Sequence, residues 1–224
     1  MQIIRKPFRY RFDNVVFWLI GINVLVFVLM YLLRNQLYID ISRGHRIQRI
    51  ELLKYYLSMI PVMVQQGWVW TFVTYMFVHG SISHIVFNML ALFIFGIHVE
   101  RQMGSREFLL FYFVTGALAG LFSFIVYIMT NQPGVWLMGA SGAVYAVMLA
   151  YAVYYPNSII YIWGIIPLRA PVMVLGFTAL GIIFMVTGVQ RNVAHLTHLA
   201  GFGFAWLYLV IRMGINPWRY LRQR

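Results

Sequence analysis

Six apolar segments, at about 15–33, 83–97, 108–129, 138–155, 170–187 and 193–211, dominate this chain of 224 residues. Each is near the ~20 residues that a helix needs to cross the hydrocarbon core, although the second is short. In lipid every backbone polar group needs a partner, and a helix supplies those partners within one segment. The alternating strands of about ten residues that build a membrane β-barrel are not seen. The pattern predicts an all-α membrane protein, a six-helix bundle. Composition agrees, because 10% of the residues are charged, where a soluble domain carries roughly a quarter. The chain has no cysteine, which excludes a disulfide framework, a thiolate nucleophile and a cysteine-ligated metal.

A net charge of +12 could serve a nucleic acid. The basic residues, however, sit in short runs flanking the apolar segments, so anionic lipid head groups are the expected partner and nucleic acid is not. The first apolar run, Val15–Leu33, follows Arg5, Lys6, Arg9 and Arg11. It is too long for the apolar core of a signal peptide, and Arg34, Asn35 and Gln36 offer no small-residue cleavage site, so a retained first span is expected. With the N-terminus in the cytoplasm, eleven lysines and arginines fall inside and six outside, which predicts that both termini are cytoplasmic. The outer six are Arg34, Arg43, Arg46, Arg49, Lys54 and Arg191, and five of them lie in the loop 34–82. That loop mixes charge with Ile50, Leu52, Leu53, Tyr55, Tyr56 and Leu57. It reads either as a small soluble cap or, preferred here, as an amphipathic structure sunk in the membrane surface with Trp68, Trp70 and Tyr75 at head-group depth. The expected organisation is a basic cytoplasmic arm 1–14, a six-span domain 15–211 and a basic cytoplasmic tail 212–224.

Polar residues inside spans are costly and mark function by default. All five acidic residues, Asp13, Asp40, Glu51, Glu100 and Glu107, lie outside the segments or at their ends. An aspartyl protease buried in the membrane therefore lacks its two aspartates, and without HExxH a zinc protease lacks ligands and base. A serine, several histidines and an asparagine remain. Gly139-Ala140-Ser141-Gly142 opens the fourth segment, where unpaired N–H groups of a helix start could bind an oxyanion; a small-residue pair of this kind also serves helix packing. His195 and His198 open the sixth segment, and a pair spaced i, i+3 could equally ligate a metal or haem. Gly201 and Ala205 give the same segment a small-xxx-small face, as Gly116 and Gly120 do for the third. His79, His84 and Asn88 stand at the start of the second segment, with His84 and Asn88 on one face; they could donate to an oxyanion or simply cap the helix. Together the three elements supply a nucleophile, a base and oxyanion donors at one end of the bundle, the minimum for acyl transfer.

These motifs resemble the rhomboid intramembrane serine proteases. Thr74-x-x-Phe77-x-His79, followed by His84 and Asn88-Met89, is similar to the rhomboid second-span signature. Glu100-Arg101-x-x-Gly104 resembles the turn after it, Gly139-Ala140-Ser141-Gly142-x-x-Tyr145 the GxSG motif, and Ala194-His195-x-x-His198-Leu199-x-Gly201 the last-span motif. The match runs in order over about residues 60–211. It implies a six-transmembrane-helix rhomboid bundle with a long, membrane-embedded first loop. It also implies that Ser141 is the nucleophile and His198 the general base, with Tyr145 stacked on the imidazole in place of an acidic partner. His84, Asn88 and the backbone of Gly139 and Ser141 would form the oxyanion hole, with His79, His195 and Gly201 in support. No cofactor or metal is implied. The substrates would be single-span membrane proteins cut at small residues near helix breakers, in a prokaryotic cytoplasmic membrane. Two departures stand out: Thr71 follows Trp70 where many rhomboids carry arginine, and Ala205 replaces the second glycine of the last-span pair. The alternatives are a catalytically inactive rhomboid-like chaperone that binds transmembrane helices, and a histidine-rich metal or haem membrane protein.

Overall fold

The computed structural model describes residues 13–43, 46–162, 164–187 and 195–221, with the side chains of 39–49 outside that description. The basic arm expected at Arg5, Lys6, Arg9 and Arg11 lies outside the described residues, as do Arg191, Val193 and Ala194. Six apolar helices form the bundle: α1 (Val15–Leu33), α2 (Ile82–Met103), α3 (Ser105–Met129), α4 (Ser141–Tyr154), α5 (Ala170–Thr187) and α6 (His195–Ile211). The first, second, third and fifth are long and apolar enough to cross a membrane. The other two have 14 and 17 described residues.

Helix α4 occupies the centre. Ten of its fourteen residues are buried and none is exposed, as expected of a helix that is apolar all round. Its small residues allow close approach. A Cβ added at Gly142 would lie 3.2 Å from Ala119 of α3 and 3.2 Å from Thr197 of α6. Gly116 of α3 faces Ala143 in the same way.

Helix ends away from Ser141 are tied by two buried carboxylates, Glu100 and Glu107, which need partners to be tolerated there. Glu100, at the end of α2, accepts the N–H groups of Val15 and Val16 at 2.9 and 3.1 Å and so caps α1 from another helix. Ser105 donates its hydroxyl to the same carboxylate at 2.5 Å. Glu107, in the first turn of α3, accepts from Arg212 at 2.7 and 2.9 Å and from the Tyr208 hydroxyl. These contacts explain why α2 runs past residue 97, the expected end of the second segment. In its last turn the Glu100 carboxylate is satisfied by α1 and Ser105 rather than by water. One turn of π-helix, Leu92–Gly96, interrupts α2 midway.

The bundle also carries two short antiparallel hairpins that were not expected: β1 (Tyr38–Arg43) with β2 (Arg46–Glu51), and β3 (Ile159–Ile162) with β4 (Ile166–Arg169). After the first hairpin, the loop between α1 and α2 continues as short helices at Leu52–Leu57, Pro61–Val64 and Thr71–Thr74. Tyr56 and Trp68 stack at 4.7 Å, Trp70 stacks on Trp68 at 5.4 Å, and Tyr55 joins Trp68 to Trp136. Met59 pairs with Leu137 as an isolated bridge, which fastens this loop to the segment leading into α4.

Candidate active site

Ser141 is the first residue of α4, and Ala140 is its N-cap. The first N–H groups of a helix have no partner within it. Fourteen residues at about 1.5 Å each give α4 a length of about 21 Å, against about 30 Å of hydrocarbon. The helix is therefore shorter than the hydrocarbon layer is thick. His198 stands one turn into α6, and its Nε2 lies 2.7 Å from the Ser141 Oγ.

The imidazole of His198 is held on its face as well as at its edge. Tyr145, one turn down α4 from Ser141, stacks on it at 4.3 Å with 17° between the planes. Phe202 and Phe177 pack around Tyr145 in turn. His195 is buried against Phe184 of α5, and its ring meets His198 edge to face at 6.2 Å.

On the opposite side of Ser141, α2 is capped by Ser81, whose hydroxyl accepts the His84 N–H. Gly80 donates its N–H to His84 Nδ1 at 3.4 Å, which assigns the proton to Nε2. That Nε2 lies against Gly139. A Cβ at Gly139 would be 2.6 Å from it, and the backbone φ of +114° is in any case one that other residues rarely adopt. Asn88 is buried and donates one N–H to its own helix, at His84 O, 2.8 Å; a side-chain amide has a second to offer. The expectation for Gly139 is corrected here. Its N–H donates to Tyr75 O at 2.9 Å, so this residue contributes room for the His84 ring rather than a donor. His79 Nε2 accepts the Ala140 N–H at 3.5 Å, and its ring meets His84 at 5.0 Å. Among the described residues, no group of three histidine, aspartate or glutamate side chains converges as a metal site.

Thr71, at the position of the missing arginine, is fully buried and donates its hydroxyl to Trp68 O at 2.6 Å. Thr74 reaches Leu57 O at 2.8 Å, and the Trp70 indole N–H reaches Tyr56 O at 3.0 Å. The loop is thus anchored internally, without the arginine.

The bundle of apolar helices thus carries a serine and a histidine in hydrogen-bond contact at one end. The rhomboid domain model matches residues 66–214, and the chain belongs to the rhomboid family. It is similar to the rhomboid protease GlpG of Haemophilus influenzae, 34% identical over 163 residues, covering 72% of this chain and 80% of that protein. It is also similar to RHOMBOID-like protein 12, mitochondrial, of Arabidopsis thaliana, 33% identical over 152 residues, or 61% of this chain and 44% of that one. A GlpG of Salmonella choleraesuis is 36% identical over 80 residues, or 36% of this chain and 27% of its own length. The chain therefore spans less than two thirds of two of these three relatives.

Proposed function

We propose that this protein is an intramembrane serine endopeptidase that cuts peptide bonds in or beside transmembrane helices of single-span membrane proteins. The observation that supports this most is the 2.7 Å contact between Ser141 Oγ and His198 Nε2 beneath a stacked tyrosine. Ser141 Oγ attacks the scissile carbonyl carbon while its proton passes to His198 Nε2. The oxyanion accepts hydrogen bonds from the Ser141 N–H, the second Asn88 N–H and His84 Nε2–H. Collapse breaks the C–N bond, and the leaving amine takes the proton from His198. Water, deprotonated by the same imidazole, then hydrolyses the acyl ester. Tyr145 does for His198 what an aspartate does in a triad, holding the ring in one orientation.

In this reading residues 15–211 are the protease domain. The arm 1–14 and tail 212–224 are basic cytoplasmic extensions, and the site opens toward the outer face of a prokaryotic cytoplasmic membrane. The loop 34–82 rests in the outer interface, where its basic residues attract anionic head groups. Neutralising Arg43, Arg46, Arg49 and Lys54 would then reduce activity more in anionic vesicles than in neutral detergent, and equal losses would remove the lipid from the account. The function itself is tested by incubating the reconstituted protein with a model single-span substrate. Cleavage by the wild type and none by Ser141→Ala is expected.

A further inference from the structure

Two hydroxyls sit buried where α3 and α6 cross, and nothing in the chemistry above uses them. Ser123 Oγ and Thr197 Oγ1 are 2.7 Å apart. Both residues are almost fully buried, at 0% and 1% exposure. Ser123 also bonds back to Ala119 O at 2.8 Å, so in this pair Ser123 accepts from Thr197. A buried polar pair between membrane helices adds directional bonding to what is otherwise close packing of apolar surface.

Thr197 occupies a particular place. It precedes His198 in the chain, and its methyl Cγ2 is 3.2 Å from where a Cβ on Gly142 would be, against the residue that follows Ser141. Helices α4 and α6 meet here through Gly142 and Gly201. Glycine surfaces let helices approach closely but present no side chain to resist rotation or sliding. The Ser141–His198 contact needs both to be fixed, since a nucleophile and its base must stay within about 2.6–3.2 Å.

We infer that the Ser123–Thr197 hydroxyl pair is a positioning contact that locks the rotation of α6, so that His198 faces Ser141. The inference rests on the proposed function. Neither residue touches the reacting atoms, and both act through the helix they hold.

The test uses the full chain in detergent. The rate at which a fluorophosphonate labels Ser141 and the kcat and KM for a model substrate are measured well below each variant's melting temperature. Thr197→Val removes the hydroxyl and keeps a branched side chain, and Thr197→Ser does the reverse. Ser123→Ala removes the partner on that side, leaving Thr197 its hydrogen bond with Tyr127. An offset of about 1 Å can cost about a hundredfold, so Thr197→Val and Ser123→Ala are each expected to label about tenfold slower or more, with kcat lowered and KM little changed. Thr197→Ser should label several-fold faster than Thr197→Val. If both hydroxyl-deleted variants label at the wild-type rate, or if the serine and valine variants slow equally, the positioning role is overturned. Should Thr197→Val fail to fold, Ser123→Ala decides between these outcomes. A wild type that does not label overturns the proposed function and this role together, whereas a labelled wild type with unimpaired variants overturns the role alone.

Discussion

Gly201 and Gly142 meet backbone against backbone. A Cβ added at Gly201 would fall on the Gly142 carbonyl, with the carbonyl carbon 3.0 Å away. The neighbour in this contact is backbone, which cannot swing aside as a side chain can. One glycine follows Ser141 and the other lies three residues after His198, so the contact sets the spacing of the two helices that carry the proposed dyad.

Gly201→Ala is therefore expected to push α6 from α4. Overpacking of this kind costs about 1–3 kcal/mol, read as a lower melting temperature in detergent, and the Ser141–His198 contact should lengthen. Fluorophosphonate labelling should slow more than stability alone accounts for. A variant with wild-type melting and labelling would mean that the helices have slack here.

The loop before α2 gives an expectation opposite to the one its missing arginine invites. Thr71 is buried with its hydroxyl bonded to Trp68 O. Thr71→Arg would place a long cation at a fully buried position, so it should lower the melting temperature rather than raise it. A gain in stability would show that the loop is under-anchored after all.

Much of this arrangement was legible in the sequence because membrane helices announce themselves by length and apolarity. Spans α1, α3 and α5 fall within a few residues of the expected segments, and the motif order brought Ser141, His198 and Tyr145 to one place. Other features, the β3–β4 hairpin among them, were not legible. The β1–β2 hairpin was hidden by its charges, although Ile39 and Ile41 alternate with Asp40 and Ser42 as a strand would. The last turn of α2 looked too polar to continue a span, because nothing local shows that Glu100 caps α1. Gly139 looked like an oxyanion donor, and its bond to Tyr75 O depends on a loop more than sixty residues earlier.

The oxyanion donors should show graded losses. Removing one such donor typically lowers the rate by about 10²–10³. Asn88→Ala and His84→Ala are each expected to be slow but measurable with a good substrate, with labelling of Ser141 reduced less than turnover. Wild-type turnover in both would leave the oxyanion to the backbone of α4 alone.

The two histidines of α6 separate by geometry. His198 touches Ser141, whereas His195 packs on Phe184 and its ring meets the His198 ring edge to face. His198→Ala should be inactive and His195→Ala should retain activity when both are compared on the same substrate. The reverse pattern would reassign the base.

The most direct measurement is cleavage of a model single-span substrate in proteoliposomes by wild type and Ser141→Ala, with fluorophosphonate labelling of both in parallel. Ser141→Ala deletes one oxygen from a half-buried helix start, so it should fold and melt like the wild type. The account expects a cut within or beside the substrate's membrane helix and a labelled serine in the wild type, with neither in Ser141→Ala. A folded wild type that neither cuts nor labels, or a Ser141→Ala variant that still cuts, would contradict it.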